Sequence, residues 1–453
     1  MKKIAWLLPF IIIGFLACNK NDGVTLPLDT TDTLSNSITT DKSLDANINY
    51  IVNGQLFVKN NAVLTIPAGT TISFVKNDTL EKKSVMVITQ GAKLVISGTA
   101  DKPVIFTSAA MGKAAGDWGA LILLGKAPTN TGTGHVEGLP VSEDTKYGGT
   151  VADDNSGSIK YLRLEYSGGI NPDAEDEWKV DKASGLLLAS VGNGTSVDHV
   201  MVEHSNDDGF QFVGGTVNAS YLVAFNNGDD DFDFDLGYTG NLQFIVAYRP
   251  ALTSTHALRA NAFESYNDEV PTNNLPYTRP VVSNMSIVGP QGTELTKTNL
   301  NQGVYIRKGT RFVVQNSVVA EYPQGALMVC IRTRPILLNT TQSTFKYNLV
   351  QSDNANTTFS WDKDSKVIGD PELETFALNN INNNTKYLSS SEIQLKAMYT
   401  PGAPDLTPAT GSPALTGANF DGADFANFFQ KVTYRGAFGA DNWAAVSNWA
   451  NWK

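Results

Sequence analysis

The densest group of side chains that could do chemistry is a cluster of acidic residues near the middle of the chain. Asp207 and Asp208 come directly before Gly209, and the segment from Asp229 to Asp235 holds five aspartates. Carboxylate oxygens suit Ca²⁺, which takes roughly six to eight oxygen ligands in a flexible arrangement. We therefore predict calcium binding by some of these acidic residues: Asp207, Asp208, Asp229, Asp230, Asp231, Asp233, Asp235, Glu264 and Asp268. The alternative is a solvated acidic turn in which some aspartates cap backbone amides.

The residues around Phe232 and Phe234 indicate which way the carboxylates point. Side chains alternate between the two faces of a strand, so the phenyl rings face inward and the aspartates between them face outward. Stacked strands lie about 4.8 Å apart, where two carboxylates repel by roughly 3 kcal/mol at an effective dielectric constant near 20. Several such pairs favour a bound counter-ion. The outward row is predicted to contain Gln211, Asp233, Glu264 and then Arg307, if Ile306 lies over Phe263.

Other metal and catalytic motifs are missing from the sequence. The spacing of His135, His199, His204 and His256 does not resemble that of zinc ligands, so zinc is disfavoured. There is no G-x-S-x-G motif, phosphate-binding loop or dinucleotide fingerprint. We interpret Cys330 as a small buried apolar residue.

A repeat of about 22 residues defines the elements that must position the acidic side chains. Val200–His204 aligns with Leu222–Asn226 and with Phe244–Tyr248, and Asp207–Phe212 aligns with Asp229–Phe234. Short strands joined by tight turns at this period stack with parallel pairing and bury a continuous apolar interior. Propellers repeat at about twice this length, and the leucine pattern of leucine-rich repeats is missing. The sequence therefore predicts an all-β fold, a parallel β-helix with about 22 residues per coil.

The two ends of the chain differ from this repeat. Lys2 and Lys3 are followed by an apolar run that ends at Cys18, which is typical of a lipoprotein signal peptide over residues 1–17. Residues 18–45 are polar, and we interpret them as a lipidated cysteine followed by a disordered tether. Residues 46–453 are predicted to form a single β-helix domain with a C-terminal cap rich in tryptophan: Trp443, Trp449 and Trp452.

The charge of the chain limits its partners. It has 34 basic and 45 acidic residues and a formal net charge of −11. Phosphate binding relies on clustered Lys and Arg, so nucleic acid is disfavoured as a partner. No apolar run approaches the roughly 20 residues of a membrane helix. We expect a monomer that is held at the outer membrane or cell surface by the lipid on Cys18.

Several segments resemble known proteins. Gly91–Ser108, followed by Gly116–Gly119, resembles an opening coil of pectate-lyase-like proteins, which form right-handed parallel β-helices. Tyr147–Thr150, Asp229–Asp233 and Tyr434–Phe438 resemble segments of an uncharacterised family of Bacteroidota lipoproteins. The resemblance covers nearly all of the mature chain and implies the right-handed fold and a lipid anchor.

Three functions are compatible with the sequence. The first is a binding or structural surface protein with a structural calcium ion, which contacts glycans or another envelope component. The second is a calcium-dependent polysaccharide lyase with Arg307 as the catalytic base, and the third is another carbohydrate-active enzyme with two carboxylates. The arginine motifs of known lyases are missing, so we favour the non-catalytic function. A binding protein should expose aromatic side chains such as Tyr266 and Tyr305 and hold its arginines in ion pairs, whereas a lyase needs Arg307 or Arg259 near the metal.

Overall fold

The computed structural model describes residues 30–77, 83–169, 183–250, 260–268, 270, 272–290, 302–363 and 366–453. The predicted signal peptide and Cys18 lie outside these residues, as does Arg259. Among the helices of the described residues, none has both the length and the apolar character needed to cross a membrane.

Most strands of the described chain belong to two sheets that run the length of the molecule. The first sheet has 17 strands. They are β1 (Thr30–Leu34), β3 (Lys42–Ser43), β4 (Ile48–Val52), β6 (Val63–Pro67), β7 (Thr71–Phe74), β9 (Lys93–Ser97), β10 (Val104–Ser108), β14 (Gly157–Glu165), β16 (Ser196–Glu203), β18 (Asn218–Phe225), β20 (Asn241–Tyr248), β22 (Val281–Val288), β24 (Val313–Gln315), β25 (Val318–Tyr322), β27 (Thr344–Lys346), β28 (Leu349–Ser352) and β31 (Thr385–Lys386).

The second sheet has 12 strands. They are β2 (Ser37–Ile38), β5 (Gln55–Val58), β8 (Val85–Ile88), β11 (Leu121–Leu124), β15 (Leu186–Ala189), β17 (Phe210–Val213), β19 (Phe232–Asp235), β21 (Phe263–Ser265), β23 (Gln302–Ile306), β26 (Gly325–Cys330), β29 (Phe359–Lys363) and β30 (Lys366–Gly369).

The remaining elements are short. Two antiparallel pairs join β12 (Gly134–His135) to β13 (Lys146–Tyr147) and β32 (Leu395–Ala397) to β33 (Asp405–Pro408). The α-helices are α1 (Arg334–Asn339) and α2 (Pro371–Ala377). Single 3₁₀ turns lie at Glu143–Thr145, Ser390–Glu392, Pro413–Leu415, Ala423–Phe425 and Trp443–Ala445.

Successive coils stack in parallel, which confirms the predicted right-handed parallel β-helix. Val200 pairs with Leu222 at the predicted offset of 22 residues. The next step differs, because Leu222 pairs with Ile245 and not with Phe244. The turn after β19 holds one residue more than the turn after β17, so the first strand of the next coil moves by one position. Phe244 therefore stacks on Tyr221, with ring centroids 5.0 Å apart.

The interior of the helix is a continuous apolar column, as the alternating pattern predicts. Phe210, Phe232 and Phe263 occupy one register position in three successive coils. The rings of Phe210 and Phe232 stack with centroids 5.1 Å apart, and Phe212 and Phe234 stack at 5.0 Å. Burial of large apolar side chains along this column supplies the main driving force for stacking the coils.

The β-helix begins earlier than predicted. The sequence predicts a disordered tether over residues 18–45, but residues 30–45 form β1, β2 and β3, which pair with strands of the next coil. Leu34, Ile38 and Leu44 are buried in the interior column. Three apolar residues are enough to join this polar segment to the β-helix, because each lies at a position that the following coil covers. The tether prediction is therefore wrong for residues 30–45.

The tryptophan-rich C-terminal segment covers a flank of the β-helix, so the predicted end cap is wrong. We call residues 416–453 the C-terminal strap. Trp449 packs edge-on against Tyr161 and His199, with ring centroids 5.9 and 5.3 Å away. Trp452 packs in the same way against Tyr248. These partners lie in β14, β16 and β20, which are in the middle of the helix.

The flank needs a cover because aromatic rings line it. Tyr161, His199, Tyr221 and Phe244 all have φ between 51° and 58°, the left-handed region at the corners of their strands. Their rings stack on one another outside the interior column. Without the strap this stack would be exposed. The end of the helix is instead covered by α2, whose buried residues pack into the interior column.

Candidate functional site

Six of the acidic residues form two groups, each of which bridges two successive coils. In each group, three carboxylates each contribute one oxygen, and these three oxygens lie within 4.8 Å of one another. The first group is Asp207, Asp208 and Asp229, and the second is Asp230, Asp233 and Glu264. Gln211, Asp233 and Glu264 occupy one register position on β17, β19 and β21, as the repeat predicts.

All the predicted metal-binding residues are buried, and each is at most 9% exposed. The aspartates of β19 point away from the interior column, as expected, but neighbouring residues cover them. The alternative prediction is therefore wrong in calling the turn solvated, but some aspartates do cap backbone amides, since Asp208 accepts from the N–H of Asp230 and Asp230 from that of Asn261. Buried carboxylates that are ionised require hydrogen bonds, a cationic partner or a metal ion.

Burial and mutual repulsion make ionisation of the second group difficult. The pKa of Asp230 is raised well above its usual value, first by burial and then by the charges of Glu264 and Asp229. The pKa of Asp233 is raised well above its usual value too, by burial and then by the charge of Asp235. A cation in the group would offset the repulsion between the carboxylates.

Hydrogen bonds satisfy only part of this group. Asp230 Oδ1 accepts a bond of 2.6 Å from the backbone N–H of Asn261, and Glu264 Oε2 accepts one of 3.1 Å from Asn261 Nδ2. Asp233 Oδ2 accepts a long bond of 3.4 Å from Gln211 Nε2. Asp233 Oδ1 accepts none from the described residues, although the residue is only 5% exposed. A buried carboxylate oxygen of this kind is a ready ligand for a metal ion.

Three of the predicted ligands lie outside both groups. Asp231 forms a fully buried ion pair with Arg249, with Oδ2 2.8 Å from Nε. Asp235 accepts a hydrogen bond of 2.8 Å from the hydroxyl of Tyr266, and Asp268 accepts one of 3.1 Å from the backbone N–H of Thr272. Asp231 is therefore paired with Arg249, whereas Asp233 and Asp235 share Gln211, whose Nε2 lies 3.4 and 3.3 Å from their Oδ2 atoms.

Arg307 does not occupy the predicted place in the outward row. Glu264 pairs with Tyr305 on β23, and Ile306 lies over Ser265 instead of Phe263. The length of the segment between β21 and β23 decides this register, and the repeat does not define it. Arg307 still reaches the acidic group, because its Nη1 lies 2.6 Å from Glu264 Oε1. The charge of Glu264 raises the pKa of Arg307, which opposes the predicted role of a base.

The two tyrosines predicted to contact a ligand have different environments. Tyr305 is 2% exposed, and its hydroxyl donates a hydrogen bond of 2.8 Å to Asp362, so its predicted exposure is wrong. Tyr266 is half-buried, and the ammonium group of Lys308 lies 4.9 Å from the centre of its ring.

Asn261 is a residue of this site that the sequence analysis missed. Its backbone N–H and side-chain amide donate to two carboxylates of the second group, and its Oδ1 accepts from the backbone N–H of Gln302. The repeat contains a signal for it. Asn261 lies two residues before Phe263, as Asp230 lies two residues before Phe232, so the two positions correspond in successive coils.

A separate pair of buried carboxyl groups lies under the C-terminal strap. Glu165 and Glu203 are neighbours on β14 and β16 and are 6% and 0% exposed. Arg163 Nε lies 2.6 Å from Glu165 and 3.6 Å from Glu203. Asn451 of the strap donates to both carboxylate oxygens of Glu203, at 3.0 and 3.2 Å. Burial, and then the charge of Glu165, raises the pKa of Glu203 to about 8.

Comparison with protein families gives one finding for this chain. The family model described as a pectate-lyase like beta helix domain matches residues 36–394. The matched region extends from β2 to the last 3₁₀ turn before β32 and includes both acidic groups. No curated protein and no solved structure matches the chain.

Proposed function

Because the chain belongs to the family of pectate-lyase-like β-helix domains, we propose that it is a carbohydrate-related binding or structural protein that holds a calcium ion between Asp230, Asp233 and Glu264. The proposal includes anchoring at the outer membrane or cell surface through a lipid on Cys18. The glycan or other envelope component would contact the long face of the helix.

One observation carries the calcium proposal. Three buried carboxylates offer oxygens within 4.8 Å of one another, and the buried Oδ1 of Asp233 accepts no hydrogen bond from the described residues. The basic partner at this group, Arg307, contacts only Glu264 in the second group. A divalent cation would neutralise the remaining charge, and oxygen ligands favour Ca²⁺.

Arg307 lies near the acidic group, as a lyase would need, but its ion pair with Glu264 favours binding over lyase chemistry. A lyase base must accept a proton, but the charge of Glu264 raises the pKa of Arg307. An arginine held in an ion pair is the arrangement expected of the non-catalytic function. We therefore do not propose a reaction for this site, since the family fold by itself does not define one.

Thermal unfolding with calcium and with chelator tests the proposal. If the ion binds only the folded protein, a free calcium concentration of 100 times Kd should stabilise it by about 2.7 kcal/mol. The variant Asp230→Asn/Asp233→Asn should lose this calcium effect. In chelator it should unfold at or above the temperature of the wild type, because neutral amides remove the cost of burying two charges.

The control is the variant Asp153→Asn/Asp154→Asn, which changes a second acidic turn. Asp153 is exposed and Asp154 is half-buried, and neither belongs to an acidic group that could hold a metal. This control should retain the calcium response of the wild type. An unfolding temperature of the wild type that does not change with calcium would contradict the proposed site.

A further inference from the structure

We propose that Arg307 is a built-in counter-ion of the acidic site, which competes with the cation for Glu264 and is released towards the surface when the cation binds. This inference rests on the proposed function and adds how occupancy of the same site is controlled. It explains why a basic side chain contacts a group that would otherwise hold a metal.

Two residues hold the carboxylate of Glu264, one at each oxygen. Asn261 holds its Oε2, while its Oε1 accepts Arg307 Nη1 at 2.6 Å. The side chain of Glu264 is 8% exposed and that of Arg307 is 24% exposed. The guanidinium group therefore approaches from the more exposed side, whereas the fully buried Asn261 holds the other oxygen of the same carboxylate.

The ion pair between Arg307 and Glu264 neutralises only part of the charge of the second group. Arg307 neutralises Glu264 and leaves the carboxylates of Asp230 and Asp233 next to it, with one oxygen of each of the three residues within 4.8 Å of the others. Asp233 Oδ1 accepts no hydrogen bond from the described residues. This buried oxygen and the held oxygen of Asp230 indicate a place for a cation beside Glu264 that the guanidinium does not fill.

The guanidinium of Arg307 and a bound divalent cation would exclude one another. A divalent ion that takes Glu264 as a ligand would lie within a few ångströms of the guanidinium group, where like charges repel strongly at low dielectric constant. Arg307 would also lose its closest anionic partner, since one carboxylate oxygen cannot hold both at full strength. The guanidinium also lies 5.2 Å from the ring of Tyr305, a cation–π contact that does not involve Glu264.

Calcium affinity provides the first test, by isothermal titration calorimetry of the full chain with Ca²⁺ as the probe. The variant Arg307→Gln removes the competing charge and should bind calcium about tenfold more tightly than the wild type or better. The matched variant Arg307→Lys keeps the charge and should bind calcium much as the wild type does. If Arg307 instead holds Glu264 in place for the metal, Arg307→Gln binds calcium more weakly or equally, which overturns the inference and leaves the proposed function intact.

Chemical modification of arginine provides a second test that does not depend on a variant. Phenylglyoxal should modify Arg307 at least severalfold faster with calcium than with chelator, as measured by mass spectrometry of peptides. Arg334 is the internal control, because its side chain is 22% exposed and it is paired with Asp370 and Glu372. A calcium-independent rate at Arg307 overturns the inference. If neither the wild type nor Arg307→Gln binds calcium, both the inference and the proposed site fail.

Discussion

At the scale of single residues, Glu203 shows how a β-helix can change the acidity of a side chain outside the two acidic groups. It lies beside Glu165 in the parallel register, is fully buried and contacts Asn451 of the C-terminal strap. Burial, and then the neighbouring charge, raises its pKa from 4.5 to about 8. Between these values the folded protein binds more protons than the unfolded chain, so its stability falls as the pH rises through this range.

The variant Glu203→Gln is expected to remove this pH dependence. Glutamine resembles the protonated carboxyl group, so the variant should be more stable than the wild type above pH 8, by an amount on the order of a few kcal/mol. Below pH 4.5 the two proteins should have similar stability. Urea unfolding between pH 4 and pH 9 measures both differences.

The control for this experiment is Glu143→Gln, since the side chain of Glu143 is 89% exposed. Its stability should follow that of the wild type at every pH. If Glu203→Gln and the wild type lose stability in parallel between pH 4.5 and pH 8, Glu203 is not the group responsible.

Individual residues also show where reasoning from the sequence ends. The alternation around Phe232 correctly placed Gln211, Asp233 and Glu264 in one row, because the repeat and the strand period hold there. It could not place Arg307, because the segment between β21 and β23 includes β22 and does not keep the length of the repeat. The pairing of Glu165 with Glu203 spans 38 residues, and this interval does not follow the repeat.

At the scale of elements, α2 shows how a short helix can close the end of the β-helix. Asp370 is its N-cap, and Oδ1 accepts hydrogen bonds from the backbone N–H groups of Glu372 and Leu373 at 3.1 and 3.0 Å. Arg334 forms a two-pronged ion pair with the same carboxylate. Burial alone would raise the pKa of Asp370, but the hydrogen bond from Arg334 lowers it below its usual value. Leu373 then packs into the interior column.

The variant Asp370→Ala is expected to destabilise this end of the molecule by about 2 kcal/mol, from the lost cap and the unpaired Arg334. Asp370→Asn can still accept from the backbone N–H groups and should lose less. Because its pKa is lowered, the carboxylate of Asp370 stabilises the folded protein above pH 3.8, and this contribution is lost as the pH falls below that value. The difference in unfolding free energy between the wild type and Asp370→Asn should therefore shrink in acid. Urea unfolding measures these values, and equal losses in the two variants would contradict the capping role.

The sequence pattern reveals the elements of the coils more readily than those at the two ends. A 22-residue period with alternating apolar residues marks β16 to β19 clearly, because each coil there repeats with its turns intact. The first coils were missed because their strands are short and their exposed residues are polar, so that only Leu34, Ile38 and Leu44 report the fold. The tryptophans of the C-terminal strap were noticed, but their partners could not be inferred, since the ring stack they cover is formed by corner residues from separate coils.

At the scale of the whole molecule, a solenoid has no contacts between distant coils except where another segment connects them. Each coil contacts its two neighbours, so stability is close to a sum of local terms. The C-terminal strap departs from this arrangement. It contacts the corner of β24 and β25 through Asn316, β20 through Gln243 and the segment after β9 through Ala100. The strap therefore connects coils that are far apart along the helix and should make their opening cooperative.

Removal of residues 441–453 should expose the middle of the β-helix and not its end. Trp449 and Trp452 cover rings on β14, β16, β18 and β20, so amide hydrogen exchange should become faster in those four strands. Strands β27, β28 and β29 near α2 should keep the exchange rates of the full chain, and they serve as the internal control in the same mass-spectrometric measurement. Faster exchange confined to β27–β29 would instead indicate an end cap.

The variant Trp449→Ala should reproduce the pattern of the truncation, because a fully buried tryptophan typically contributes about 3–5 kcal/mol. Cooperative loss of protection across all four strands would indicate that the strap couples the coils, whereas a loss limited to β14 and β16 would confine its effect to the residues that Trp449 touches.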